Sequence, residues 1–259
     1  MRGARALLIA IAALICLAVP ARAELAQDGD LRVAFQGALA PSTLPRTTPA
    51  PVAVSVAGDI KVLAGAPLPQ LRTITVAINR AGRLYDKGLP TCRVKSIQPA
   101  TEAEARSQCP DAIVGFGHVT VEAHIPNQPY FSVDAKLLAF NGPRRNGHKL
   151  ILAQVYSTAP PGAFVLTFTV KKAPGVFGTT MSTTLPKSAQ GWAYLSHFDM
   201  TLKRTYRFKG KPRSYVSAAC AAPAGFSSAP FPFAKATYGF DNGQKLTTTV
   251  NKSCKVAGA

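Results

Sequence analysis

The sequence predicts an all-β protein: an antiparallel β-sandwich, immunoglobulin-like or jelly-roll-like, with one short helix, or alternatively a β-barrel. Three observations predict it. Apolar residues alternate with polar ones in run after run along the chain, the period of a half-buried strand. The runs recur at the roughly 8 to 12 residue spacing of all-β folds, with turn residues between them. Finally, 20 Gly and 21 Pro among 259 residues interrupt the chain too often for long helices and too rarely for a low-complexity polymer. With 47% hydrophobic and 16% charged residues, the chain can bury a core, which excludes disorder.

Residues 1–23 read as a secretory signal peptide. Arg2 and Arg5 form its charged start, an apolar run occupies positions 6–19, and Ala21-Arg22-Ala23 is a small-x-small cleavage site. That apolar run is shorter than the roughly 20 residues a membrane-spanning helix needs. Residues 24–51 follow as an extended arm, with one alternating run around Leu31, Val33 and Phe35 and then Pro41, Pro45, Pro49 and Pro51 among Ser and Thr. Residues 52–259 form a single domain. Its strands are expected at 52–56, 60–63 and 72–79. A short helix follows at 102–109, with Thr101 and Glu104 as a capping box. Further strands are expected at 113–125, 131–140, 150–157, 164–171, 177–185, 192–208, 215–220, 233–240 and 245–250. Asn141-Gly142, Lys209-Gly210 and Asn242-Gly243 are taken as the turns closing three of these runs. Positions 214–234 carry no charge, but Pro223, Pro230 and Pro232 exclude a spanning helix there.

With Cys16 in the signal segment, Cys92, Cys109, Cys220 and Cys254 remain. An even count in an exported chain predicts two disulfides. Pairing Cys92 with Cys109 and Cys220 with Cys254 is favoured, because each pair brackets one compact stretch, and each link is worth roughly 3 to 4 kcal/mol in the loop-entropy account. No Cys-x-x-Cys or His-x-x-x-His spacing supports zinc or a catalytic dithiol.

Charge is unevenly placed. Positions 24–141 hold 11 Lys or Arg against 10 Asp or Glu, a net of +1, whereas positions 142–259 hold 16 against 2, a net of +14. Such a basic half suits an anionic envelope polymer or membrane surface, with no specific nucleic acid expected. The sharpest feature is the run from Lys203 to Arg213, which has six cations and no carboxylate. Alternation places Lys203, Thr205, Arg207 and Lys209 on one strand face, and Lys211 and Arg213 continue the charge beyond the turn. Lys203, Arg207, Lys209, Lys211 and Arg213 are therefore the candidate polyanion-binding residues. The competing reading is an edge strand guarded against aggregation by its lysines.

Catalytic and metal chemistry find less support. His118, Thr120, Glu122 and His124 share one strand face, but His118 and His124 would lie roughly 20 Å apart at the rise of a strand and cannot share an ion. No Gly-x-Ser-x-Gly elbow, phosphate loop or dinucleotide fingerprint is present, and nothing in the spacing around His197 and Asp199 selects a triad. Hence no catalytic residue, metal or cofactor is expected. The near-continuous apolar run from Phe164 to Val170 admits a further class, a carrier of an apolar small ligand or lipid.

The segments Gly88-Leu89-Pro90-Thr91-Cys92, Leu138-Ala139-Phe140-Asn141-Gly142, Ala222-Pro223-Ala224-Gly225-Phe226, Phe231-Pro232-Phe233-Ala234 and Tyr238-Gly239-Phe240 resemble those of secreted β-rich actinobacterial proteins without an assigned activity. The resemblance runs from about Pro51 onward. It implies an extracytoplasmic location and a single domain, and nothing about mechanism. The sequence reading is therefore a secreted, non-enzymatic cell-envelope binding or structural protein, with the carrier and a hydrolase lacking a recognisable motif as alternatives.

Overall fold

The structure is a computed structural model that describes residues 23–63, 68–187 and 193–258. The expected signal peptide lies outside the described residues, apart from Ala23. The N-terminal strands are β1 (Glu24–Asp28), β2 (Leu31–Ala40), β3 (Thr43–Leu44), β4 (Ala50–Pro51), β5 (Ala53–Val62), β6 (Leu71–Asn79) and β7 (Gly82–Leu84). Two helices, α1 (Val94–Ile97) and α2 (Glu102–Gln108), precede a long meander. The meander comprises β8 (Ile113–Ala123), β9 (Phe131–Arg145), β10 (His148–Thr158), β11 (Pro161–Lys172) and β12 (Phe177–Thr184). The C-terminal strands are β13 (Ala193–Leu202), β14 (Thr205–Phe208), β15 (Lys211–Ser214), β16 (Val216–Ala218), β17 (Ser228–Phe240) and β18 (Lys245–Val256).

The protein is mostly β, as the periodicity predicts, but the strands do not divide into the two facing sheets of a sandwich. Thirteen of them form one sheet in the order β1-β2-β5-β13-β8-β9-β10-β11-β12-β6-β17-β18-β3, which curls into a half-barrel. Twist accumulates across so many long strands until the sheet turns on itself. Its two ends meet through Gln244, immediately before β18, whose side-chain amide donates to the Asp28 carbonyl at 3.2 Å. Glycine permits a close approach at Gly58, where a Cβ would strike the Phe198 ring and the Tyr238 hydroxyl. For the same reason 52–56 and 60–63 are not two strands. Gly58 is a packing position inside one continuous β5 and no turn occurs there.

Within residues 24–51, β1 and β2 stand at one edge of the large sheet. Leu31, Val33 and Phe35 are buried, and β2 pairs with β5 over ten residues from Leu31↔Val62 to Ala40↔Ala53. Alternation in this stretch was real strand signal, and the prolines fall only after it ends. A separate three-stranded sheet, β4-β16-β7, lies at one end of the half-barrel, and β14 with β15 forms a two-stranded hairpin beside it.

The concave face carries the main core, including Phe35, Ile60, Val119, Ile151 and Tyr238. Behind β9 and β10, Leu138, Phe140, Leu150 and Leu152 form a second cluster with Ile97, Ala100 and Ala105. Helix α2 has the expected capping box: Thr101 Oγ1 accepts from the Glu104 amide at 3.3 Å, and Glu104 accepts from the Thr101 amide at 2.8 Å. The bridges Cys92–Cys109 and Cys220–Cys254 are both present. The first pins the helical segment over the second cluster. Asn141-Gly142 is not a turn: Asn141, 2% exposed, lies within β9 and donates its amide to the carbonyls of Leu89 and Pro90 at 3.3 and 2.9 Å. It staples the incoming loop to the sheet. The actual turn is Asn146-Gly147, with φ of 51° and 77°, as a tight hairpin requires.

Candidate functional site

The inward side chains of the meander line the concavity of the curled sheet without filling it. The remainder is an apolar cavity of about 360 Å³, walled by Val119, Val121, Leu137, Val155, Leu166 and Phe168. Alternate residues of four adjacent strands supply these six, as a period of two dictates. Phe164, Leu185, Pro186, Ala193 and Leu195 lie at one end, where β12 finishes and β13 begins. Phe164 and Phe131 are each 36% exposed at that end of the sheet. Met181, Met200 and Val56 also border a smaller hollow of about 40 Å³ beneath the β4-β16-β7 sheet. Two methionines at this junction give an adaptable wall, since an unbranched thioether changes shape at low cost. The volume falls within the roughly 300 to 1,000 Å³ of small-molecule sites.

The five candidate polyanion-binding residues lie on or beside the β14–β15 hairpin, all exposed, but they do not form one row. Strand β13 stops at Leu202, and Lys203 and Arg204 leave the sheet, with the Arg204 guanidinium 3.3 Å from the Asp111 carboxylate. Arg207 stands opposite Pro212, whereas Arg213 stands opposite Tyr206 and Lys211 opposite Phe208. Residues opposite one another share a face, so the cations divide between the two faces. Lys209 sits in the turn with φ of 51°. The sequence could not show this, because it depends on where β13 ends at Leu202 and on the register of the β14–β15 hairpin. Arg213 lies 5.5 Å over the Tyr85 ring and the Tyr206 hydroxyl donates to the Lys87 carbonyl at 2.9 Å, which anchors the hairpin.

The polar strand face around His118 is differently wired from its sequence reading. Glu122 accepts from Ser132 at 2.9 Å and from Ser196 at 3.2 Å, while His124 stacks on Tyr130 with ring centroids 3.9 Å apart. The two side chains are thus engaged elsewhere. Strand pairing also assembles a row that spacing alone did not reveal. His118 Nδ1 lies 3.3 Å from Asp199, and His197 lies 2.9 Å from Asp59 and 3.9 Å from Asp199. Ser196, the neighbouring hydroxyl, is directed to Glu122 and the Thr120 carbonyl. Among the described residues no group of three or more His, Cys, Asp or Glu could hold a metal ion, and no helix is long and apolar enough to cross a membrane.

Compared with protein-family models, curated proteins and solved structures, the chain matches none. The cavity is the most completely built site among the described residues.

Proposed function

We infer that this chain is a secreted, non-enzymatic binding protein that holds an apolar small ligand or a lipid chain inside its half-barrel. The observation that carries the reading is the cavity of about 360 Å³. Empty apolar space costs a fold dispersion contacts along its whole lining, and an apolar occupant restores them. The two disulfides agree with an oxidising location. The test is titration of the chain with a dansylated fatty acid. Saturable enhancement of dansyl emission with a raised melting temperature supports the reading, and the absence of both overturns it.

A second reading concerns the surface. The exposed cations of the β14–β15 hairpin favour attraction to an anionic envelope polymer, strongest at low salt. Co-sedimentation with purified envelope fractions across a salt series checks it. Replacing Lys203, Arg207 and Lys209 together by Gln should flatten the salt dependence, and an unchanged dependence rules out the hairpin.

A further inference from the structure

Strands β6 and β11 both run from the cavity mouth to the far end of the sheet. Leu71 and Phe164 stand at the mouth, and Asn79–Arg80 and Lys171–Lys172 lie at the other end. The seven-residue step from Phe164 to Lys171 spans roughly 23 Å at the rise of a strand. At that far end the turn after β6, the β9–β10 hairpin and the β11–β12 hairpin converge on a groove of about 650 Å³. Six cations line it: Arg80, Arg83, Arg144, Lys149, Lys171 and Lys172.

Only two of the six have a carboxylate partner. Asp86 lies 3.0 Å from Arg144 and 2.9 Å from Lys149, while Arg80, Arg83, Lys171 and Lys172 form no ion pair among the described residues. No acidic side chain lines the groove itself. The tips are held in place by the backbone: the Arg80 amide donates to the Val176 carbonyl at 2.9 Å, and the Ala173 amide to the Gly178 carbonyl at 3.0 Å. Lys149 is fixed further by donating to the Leu84 carbonyl. The fold therefore gathers four uncompensated positive charges around one concavity and offsets their repulsion with nothing of its own. A lone carboxylate would neutralise a quarter of that charge. A phosphate-bearing anion neutralises more and matches the donor forks of two guanidinium groups and the point charges of two ammonium groups.

We propose that the groove formed by Arg80, Arg83, Lys171 and Lys172 is a binding site for a phosphate-bearing polyvalent anion, either soluble or displayed as a lipid headgroup. The site is separate from the apolar cavity and stands whether or not the cavity holds a ligand. It is also separate from the β14–β15 hairpin, which a charge-matched control exploits. Binding of tripolyphosphate is measured by calorimetry, and binding of vesicles containing phosphatidylglycerol in phosphatidylcholine by flotation. Three chains are compared: the unaltered protein, a variant with Arg80, Arg83, Lys171 and Lys172 replaced by Gln, and one with Lys203, Arg207, Lys209 and Lys211 replaced by Gln.

Both variants lose the same formal charge, so net charge alone predicts equal losses. A built site predicts a loss of at least about tenfold in the groove variant, equivalent to about one charge-assisted hydrogen bond, and little change in the hairpin variant. Affinity for tripolyphosphate without vesicle binding assigns a soluble phosphate compound, and vesicle binding assigns a headgroup. Equal losses in the two variants overturn the proposal, as does an unaltered protein that binds neither probe. The replaced residues are exposed, and an unchanged melting temperature establishes that the variants fold. If the quadruple variant does not fold, Lys171→Gln with Lys172→Gln alone must still weaken binding. Unchanged dansyl fatty-acid binding in the groove variant keeps this result independent of the cavity reading.

Discussion

Replacing Val119 by Phe separates an empty half-barrel from a filled one by the sign of its effect. Val119 is 5% exposed, lines the cavity, and sits in register between Ala135 on β9 and Phe198 on β13. In a close-packed core an added ring forces its neighbours off their rotamers and costs about 1 to 3 kcal/mol. Beside a cavity of about 360 Å³ the ring instead gains contacts, and filling such space commonly stabilises by about 0.5 to 2 kcal/mol. Urea unfolding of both proteins therefore gives a higher midpoint for Val119→Phe with an unchanged slope. The same substitution takes up space the ligand would use. At a dansylated fatty acid concentration of 100 times Kd, linkage adds about 2.7 kcal/mol to the unaltered protein. For a chain of this size that raises Tm by about 5 to 11 °C, and the rise should shrink by more than half in the variant. A lower urea midpoint would mean that the cavity is closed in solution. A Tm shift as large as that of the unaltered protein would place the ligand elsewhere.

Three further outcomes follow from single interactions. Tyr238 is fully buried, with no hydrogen-bond partner for its hydroxyl among the described residues, and burial, with a smaller contribution from Asp59, pushes its pKa up. Tyr238→Phe is therefore neutral or stabilising by up to about 2 kcal/mol, and a loss above about 1 kcal/mol in urea unfolding would reveal a partner. Thr101→Ala removes the side-chain half of the capping box, the acceptor for the Glu104 amide, while the backbone amide of residue 101 can still donate to Glu104. It should cost about 0.5 to 2 kcal/mol by the same assay, while Thr101→Ser should retain most of that stability. Hydrogen bonds from Lys136 first and Arg106 next hold Glu102 below its ordinary 4.5. Their stabilisation is fully present above the unfolded carboxyl pKa and is lost as pH falls through the folded one. Stability curves of the unaltered protein and of Lys136→Met with Arg106→Met should then differ at neutral pH and converge in acid. A gap of constant size across that range would remove the ion pairs as its cause.

Much of the local structure was legible in the residues. Alternation located the meander strands because each has one face buried, and Thr101 with Glu104 specified the start of α2. Adjacent cysteines paired because each pair brackets a short loop. Sheet closure was not legible, since a strand bordering a half-barrel and one bordering a sandwich have the same alternation. Glycine misled in opposite senses. Gly58 marks close approach inside a strand, and Gly142 follows an asparagine that staples a loop, while the adjoining Asn146-Gly147 is the true turn. The candidate site was half visible. Phe164, Leu166 and Phe168 of the apolar run belong to the cavity wall, but the space they border depends on how the sheet curls, which alternation along one strand does not carry. The groove is not legible in the sequence because its cations come from one turn and two hairpins that are distant along the chain.

The strand order has a kinetic consequence. β13 lies between β5 and β8, and β6 lies between β12 and β17, so the four pairings these two strands make join segments far apart along the chain. A nascent polypeptide ending after β12 would have its N-terminal β1-β2-β5 unit joined to the meander only through the chain leading to β6, which pairs with β12, and would leave open edges at β5 and β8. Such topologies fold slowly, because distant loops must close before the contacts they allow are made. Residues 193–202 bridge β5 and β8 and supply Ala193, Leu195, Phe198 and Met200 to the cavity wall, so the cavity is not complete before they arrive. Any occupant must enter a finished protein, or be enclosed as β13 zips the two halves together.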